Sequence, residues 1–225
     1  MKRYPIAIEI AGPTAMWTRV DSGDAPTSYE APTFQAAKQI FESILWLRSA
    51  EVIPTRVEIC RPIVRHRYYT NYGGPLREGG GEGFDSHQLI ATVLINVHYR
   101  IFARVESYKP RDETLSARAI AWRAIKGMNG AHAYQEMFTA RMRRGQYHHV
   151  PFLGWKEFTP TLLKLVENPE AKPGELEPKP DKTVEGIEIP SMVFRTFERG
   201  QWTARNVDAV KTDAVIRKGV LWYAE

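Results

Sequence analysis

Cysteine is almost absent from this chain: Cys60 is the only one in 225 residues. An intrachain disulfide is therefore excluded, and a lone thiol in the apolar stretch Val57-Glu58-Ile59-Cys60 suits a reducing compartment. Long hydrophobic runs are missing too. Nothing approaches the roughly 18 apolar residues of a membrane span. Met1-Lys2-Arg3-Tyr4-Pro5 leads into alternating residues rather than an apolar leader, so a cytoplasmic protein without a membrane partner is expected. No Gly-Lys-Ser or Gly-Lys-Thr follows the glycine-rich stretch, which removes the phosphate-cradling loop of ATP-binding proteins. His148 and His149 stand together, but no third and fourth ligand lies at a zinc-like spacing, so no metal and no other cofactor is expected.

What is present is a sizeable apolar fraction, 43%, and a modest cationic excess of 31 Lys and Arg over 26 Asp and Glu. That is enough to bury a core and to tolerate an anionic partner. Tyr4, Ile6, Ile8 and Ile10 alternate as in a strand with one buried face, ended by Gly12-Pro13. Thr33 offers an N-cap, and Ala36, Ala37, Ile40, Phe41, Ile44 and Leu45 then repeat at helical spacing. A second strand is expected from Val57 and Ile59 on through Pro62 to Arg65-His66-Arg67-Tyr68-Tyr69. Glycines dominate residues 72–84, which read as a loop. A long strand follows, with Val93, Ile95, Val97, Tyr99, Ile101, Ala103 and Val105 on the core face and Asn96, His98, Arg100, Phe102 and Arg104 on an open cationic face. Helices are expected over Leu115–Lys126 and Ala133–Arg144, with Gly130 and Gly145 as stops. The sum is an α+β chain: a ferredoxin-like (RRM-like) core over residues 1–150, then a small C-terminal antiparallel β domain over 151–225 with an exposed Pro/Glu/Lys-rich excursion at 167–182.

Arginines interleaved with aromatic rings suit RNA, because cations neutralise phosphates while flat rings stack on unpaired bases. The candidates are Arg65, His66, Arg67, Tyr68, Tyr69 and Arg77, with His98 and Arg100 on the long strand and Arg143 and Arg144 at the end of the last helix. A solvated sheet edge and cations that complement a helix dipole are the ordinary readings of the same residues. His132, Tyr134 and His149, with His148, are candidates for general acid and base chemistry.

Trp17-Thr18-Arg19, then Ser28-Tyr29-Glu30-Ala31-Pro32-Thr33, Ala36-Ala37 and Ile44-Leu45-Trp46, resemble the opening of the CRISPR-associated Cas-five family of subtype I-C. Met137-Phe138, Arg144-Gly145-Gln146, His149, Pro151, Leu153-Gly154 and Glu157-Phe158 are similar to its later signature. The resemblance implies a Cascade subunit that holds the 5′ handle of the CRISPR guide RNA, with Arg19 among its RNA contacts. Its partners would be the backbone, large and small subunits, with target DNA met only indirectly. Many members also cut precursor RNA without metal, using a tyrosine near the end of the first helix and a lysine-histidine pair at the start of a later one. Those positions read Leu45, Ala133 and Tyr134 here. Leucine and alanine can neither deprotonate a 2′-hydroxyl nor protonate a leaving oxygen. A non-cleaving handle binder is therefore expected. The alternatives are a metal-independent endoribonuclease rebuilt on His132, Tyr134 or the His148-His149 pair, and an assembly protein without RNA contact.

Overall fold

A computed structural model of the chain describes residues 4–73, 86–107, 117, 121, 129–194, 210–211 and 214–223. Ten strands and two helices with defined ends are found there: β1 (Tyr4–Ala15), α1 (Phe34–Ile44), β2 (Ala50–Ile59), β3 (Val64–Gly73), β4 (Ser86–Ser107), α2 (Gly130–Arg144), β5 (Leu162–Leu165), β6 (Ile187–Ile189), β7 (Met192–Val193), β8 (Val210–Lys211), β9 (Ala214–Arg217) and β10 (Val220–Trp222). Arg77, most of the expected glycine-rich loop, and the helix expected over Leu115–Lys126 except Ala117 and Ala121 lie outside the described residues.

One antiparallel sheet dominates, in the order β5-β1-β4-β2-β10-β9-β6 with β3 also on β4. α1 lies between β1 and β2 in the chain and α2 between β4 and β5. Strands β5-β1-β4-β2 thus follow the split β-α-β-β-α-β order. Strands from both sides of residue 150 share this sheet: β5 pairs with β1 and β10 with β2.

The helices cover one sheet face. Thr33 caps α1 by accepting from the Ala36 amide, and Phe34, Ala37, Ile40, Phe41 and Ile44 form its buried stripe. Ala131, Tyr134, Phe138 and Met142 do the same for α2, which starts at Gly130 behind an Asn129 cap. Gly145 ends α2 at φ 63°, the left-handed conformation that closes a helix, with its N–H on the carbonyls of Arg141 and Met142. Phe41 and Phe138 join the two helices, ring centres 5.6 Å apart.

The opposite sheet face departs from the sequence expectation. The 167–182 segment is largely exposed residue by residue, yet it lies across the sheet as a strap. Ala7, Phe102 and Val166 are buried together beneath it, with Leu176 packed against them. That is why β1 is buried on both faces and why Glu9, Glu58 and Arg100 are buried as well. The strand expected to run from Val57 through Pro62 is two strands, because Pro62 sits in the break between β2 and β3.

Cys60 lies at the end of β2, 8% exposed, and burial pushes its thiol up to about 12. The thiolate is the reactive form, so a thiol reagent at pH 8 is expected to leave the native chain unlabelled and to label it fully in denaturant. Rapid labelling under native conditions would contradict this burial.

Candidate functional site

β4 holds two edge partners in succession: β2 along Tyr99–Ser107 and β3 along Ser86–Ile95. Between them Asn96 adopts φ 55°, a left-handed conformation that asparagine tolerates better than most residues. The β3–β4 hairpin therefore extends β4 past the end of its pairing with β2, while Ala91, Val93 and Leu94 stay in the core. Arg65, His66, Arg67 and Tyr69 are exposed along it, and Arg61 is exposed just before it. Tyr68, on the face opposite Arg65, Arg67 and Tyr69, anchors the arm edge-on against Phe158 and Trp155, at 5.4 and 6.3 Å between ring centres. Arg65 is paired with Glu30, itself only 5% exposed, so part of its charge is already answered. Arg67 and Tyr69 remain as an exposed basic and aromatic pair on one face of the strand, with the exposed His66 on the other.

His98 and Arg100, expected on an open face, are buried under the strap. His98 Nε2 is 2.9 Å from Glu9 Oε1. Arg100 is 1% exposed and donates from Nη1 to Glu58 Oε2 at 2.8 Å and from Nη2 to the Pro178 carbonyl at 3.1 Å. Its Nε finds no partner among the described residues. Arg56 donates to the Glu58 carboxylate and the Ala171 carbonyl, and its guanidinium lies 3.5 Å over the Phe102 ring. Burial pushes Glu9 up, but hydrogen bonds from His98 and Lys164 outweigh it and leave Glu9 below the usual carboxylate range. This is a structural ion network. The alternation of charge was real, but strand periodicity says which residues share a face and not what covers that face. Arg19 is held by Asp21 in a two-point pair at 2.9 and 2.8 Å.

Of the acid-base candidates, Tyr134, His148 and His149 meet the end of α1, while His132 lies apart, its ring 5.8 Å from that of Tyr4. Tyr134 is 1% exposed, donates its hydroxyl to the Leu45 carbonyl at 2.6 Å, and is pushed well above the usual phenol range by burial. A buried phenol locked onto a backbone oxygen cannot exchange protons with a substrate, which removes Tyr134 from the acid-base candidates. Tyr134→Phe is expected to cost about 1–2 kcal/mol by orphaning that carbonyl, read by urea denaturation, with RNA binding unchanged. His132 sits on the exposed side of α2, 3.8 Å from Glu136. The His148 and His149 amides donate to the Ile44 and Ser43 carbonyls, and their exposed rings lie 4.2 Å apart. Arg141 also donates to the Ile44 carbonyl at 2.8 Å, Arg143 pairs with Glu167 at 2.9 Å on the surface, and Arg144 is exposed. Among the described residues no three His, Cys, Asp or Glu side chains gather to hold a metal ion, and no helix is long and apolar enough to cross a membrane.

Sequence reasoning gave no sign of a groove between α1 and the 151–154 loop. It is lined by Trp17, Ala36, Gln39, Ile40, Ser43, Pro151, Phe152 and Gly154 and is an open depression of about 60 Å³. The one available signal was an aromatic residue between Pro151 and Gly154, directly after the paired histidines.

Comparison with known proteins places these features in context. The Cas5d model of the family described as CRISPR-associated protein (Cas_Cas5) matches residues 6–220. A relative from Thermus thermophilus, described as a CRISPR pre-crRNA endoribonuclease, is 27% identical over 156 residues. That match takes in 68% of this chain and 61% of the relative, so the chain spans less than two thirds of that protein's length. In fold, the chain is similar to a crystal structure of a CRISPR-associated protein, with a TM-score of 0.64 at 17% identity over 100% of this chain and 94% of the other. It is also similar to a functionally uncharacterized protein from Streptococcus mutans, with a TM-score of 0.61 at 16% identity over 100% and 95%.

Proposed function

Because this chain belongs to the CRISPR-associated Cas5 family, we propose that it binds the 5′ handle of the CRISPR guide RNA as a subunit of a Cascade-type effector. The observation that carries the reading is the hairpin arm, where His66, Arg67 and Tyr69 stand exposed on one strand next to Arg61. Cations there meet phosphates and the tyrosine ring offers a stacking surface for an unpaired base. Arg143 and Arg144, exposed at the end of α2, add a second cationic point. The backbone, large and small Cascade subunits are its partners in this reading, and target DNA is met through them.

Cleavage is the second reading, and the T. thermophilus relative's description together with the exposed His148-His149 pair favours it. Against it, the positions of the family's catalytic tyrosine and lysine-histidine pair are Leu45, Ala133 and Tyr134, and Tyr134 is buried. One experiment separates the two. The purified chain is incubated with its repeat RNA in excess chelator, and binding and cleavage are resolved on the same samples. Tight binding without a cut supports the handle-binding subunit. Specific cleavage that disappears with His148→Ala or His149→Ala replaces it with a rebuilt nuclease, and absence of binding at low salt overturns both.

A further inference from the structure

The groove beside α1 has rigid walls. Ala36, Gln39, Ile40 and Ser43 recur at helical spacing and form one wall, while Trp17, 2% exposed, forms the floor. The opposite wall is a loop laced to the end of β1: the Met16 amide donates to the Leu153 carbonyl at 2.8 Å and the Leu153 amide to Phe158 at 2.7 Å. Gly154, at φ 94°, lies so close to Met16 that an added Cβ would fall 1.8 Å from its carbonyl oxygen. The His149 amide ties the start of the loop to Ser43 at 2.8 Å. Within this fixed frame Phe152 stays 37% exposed and its neighbour Val150 64% exposed.

The groove's chemistry is mixed in a specific way. Its walls are apolar, and its polar groups are the exposed Gln39 amide and the Ser43 hydroxyl, whose hydrogen is given to the Ile40 carbonyl so that its oxygen is left as an acceptor. Beside this end of α1 the His149 amide is bonded to the Ser43 carbonyl and Arg141 to the Ile44 carbonyl, which brings a guanidinium and the exposed His148 and His149 near the groove although none of them lines it. Glu42, the sole carboxylate of α1, faces Lys38 instead, at 3.8 Å. A flat ring with a hydrogen-bonding edge matches that distribution: an apolar groove with an exposed aromatic side chain and two polar groups, near the Arg141 guanidinium.

We propose that this groove takes one unpaired nucleobase of the bound RNA, with its ring face on Phe152 and its polar edge toward Gln39 and Ser43. The proposal rests on the RNA-binding reading and adds a base-selective position to it, apart from the hairpin arm.

An abasic scan of the repeat RNA tests it, with binding to the full chain followed by fluorescence anisotropy. At one position, removing the base is expected to weaken binding about ten-fold, as loss of one base-aromatic stack does. Phe152→Ala should bind intact RNA with that same loss and become indifferent to the base at that position. Gln39→Ala should retain most affinity but discriminate less among the four bases there. Both side chains are solvent-exposed, so the variants are expected to fold, and unchanged melting checks this. If wild type binds RNA but Phe152→Ala gives the same scan profile, the groove is not a base site and the handle-binding reading stands. If Phe152→Ala keeps its RNA profile but loses a protein subunit of the effector, the occupant is a protein side chain and the proposal falls. Failure of wild type to bind any RNA overturns both.

Discussion

Replacing Glu58 with leucine is expected to destabilise the fold by about 3–5 kcal/mol, the usual consequence of stranding buried charges by removing their partner. Glu58 is 1% exposed and receives hydrogen bonds from both Arg56 and Arg100, at 3.2 and 2.8 Å. Without it Arg100 keeps only Glu9, 3.7 Å away, and the Pro178 carbonyl, while Arg56 keeps the Ala171 carbonyl. A whole domain is typically stable by about 5–15 kcal/mol, so the loss should be plain in urea denaturation and in expression yield. Glu58→Gln, which keeps an acceptor of similar shape, should lose less. The discriminating variant replaces Arg56, Glu58 and Arg100 together with apolar residues and should recover part of the loss, since a packed apolar cluster can match a buried ion network. A Glu58→Leu protein within about 1 kcal/mol of wild type would mean that water reaches these guanidinium groups.

The second large effect concerns RNA. Replacing Arg61, His66 and Arg67 together with alanine is expected to weaken binding of repeat RNA about 10- to 100-fold at low salt. The slope of log affinity against log salt should become shallower by about 0.7 for each single-strand phosphate that is no longer neutralised. Thermal stability should hardly move, because all three side chains are exposed and surface substitutions away from special features are nearly neutral. A variant that keeps both affinity and salt slope would remove the hairpin arm from RNA binding and shift attention to Arg143 and Arg144. Tyr69→Ala provides the complement: weaker affinity with the salt slope unchanged, since a stacking ring releases no counterions.

Much of the fold could be read from the sequence because its signals are periodic and local. The alternation from Val93 to Val105 identified the central strand, Thr33 announced the start of α1, and Gly145 marked the end of α2. The sequence alone puts the start of α2 too late, at Ala133, because a glycine at position 130 reads as a breaker. In fact Gly130 opens the helix, after Asn129. The larger miss was long-range. Nothing near His98 or Arg100 in sequence says that residues 171 and 178 will supply carbonyls to Arg56 and Arg100, so a buried ion network and an open RNA-binding face give the same alternating pattern. Tyr134 shows the same limit, since its partner at Leu45 lies 89 residues away. The hairpin arm was recognised because a run of adjacent basic and aromatic residues is unusual in sequence and also ends up exposed in the fold. The groove at Phe152 escaped notice because it is made of three separate stretches of chain, none distinctive alone.

The strap is held to the sheet largely through its main chain. Arg56 and Arg100 grip the carbonyls of Ala171 and Pro178, and the buried contacts beneath it come from a few small or apolar residues. Backbone carbonyls are common to every amino acid. Outward side chains between those two grips, such as Lys172 and Glu177, can therefore be exchanged without disturbing the attachment, whereas Glu175 belongs to the strap itself, its carboxylate accepting from the Lys172 amide at 2.8 Å. That makes this face a surface whose charge and shape can be rewritten while the sheet below is kept, a natural place for members of one lineage to diverge and for an engineered epitope or short tag to be inserted.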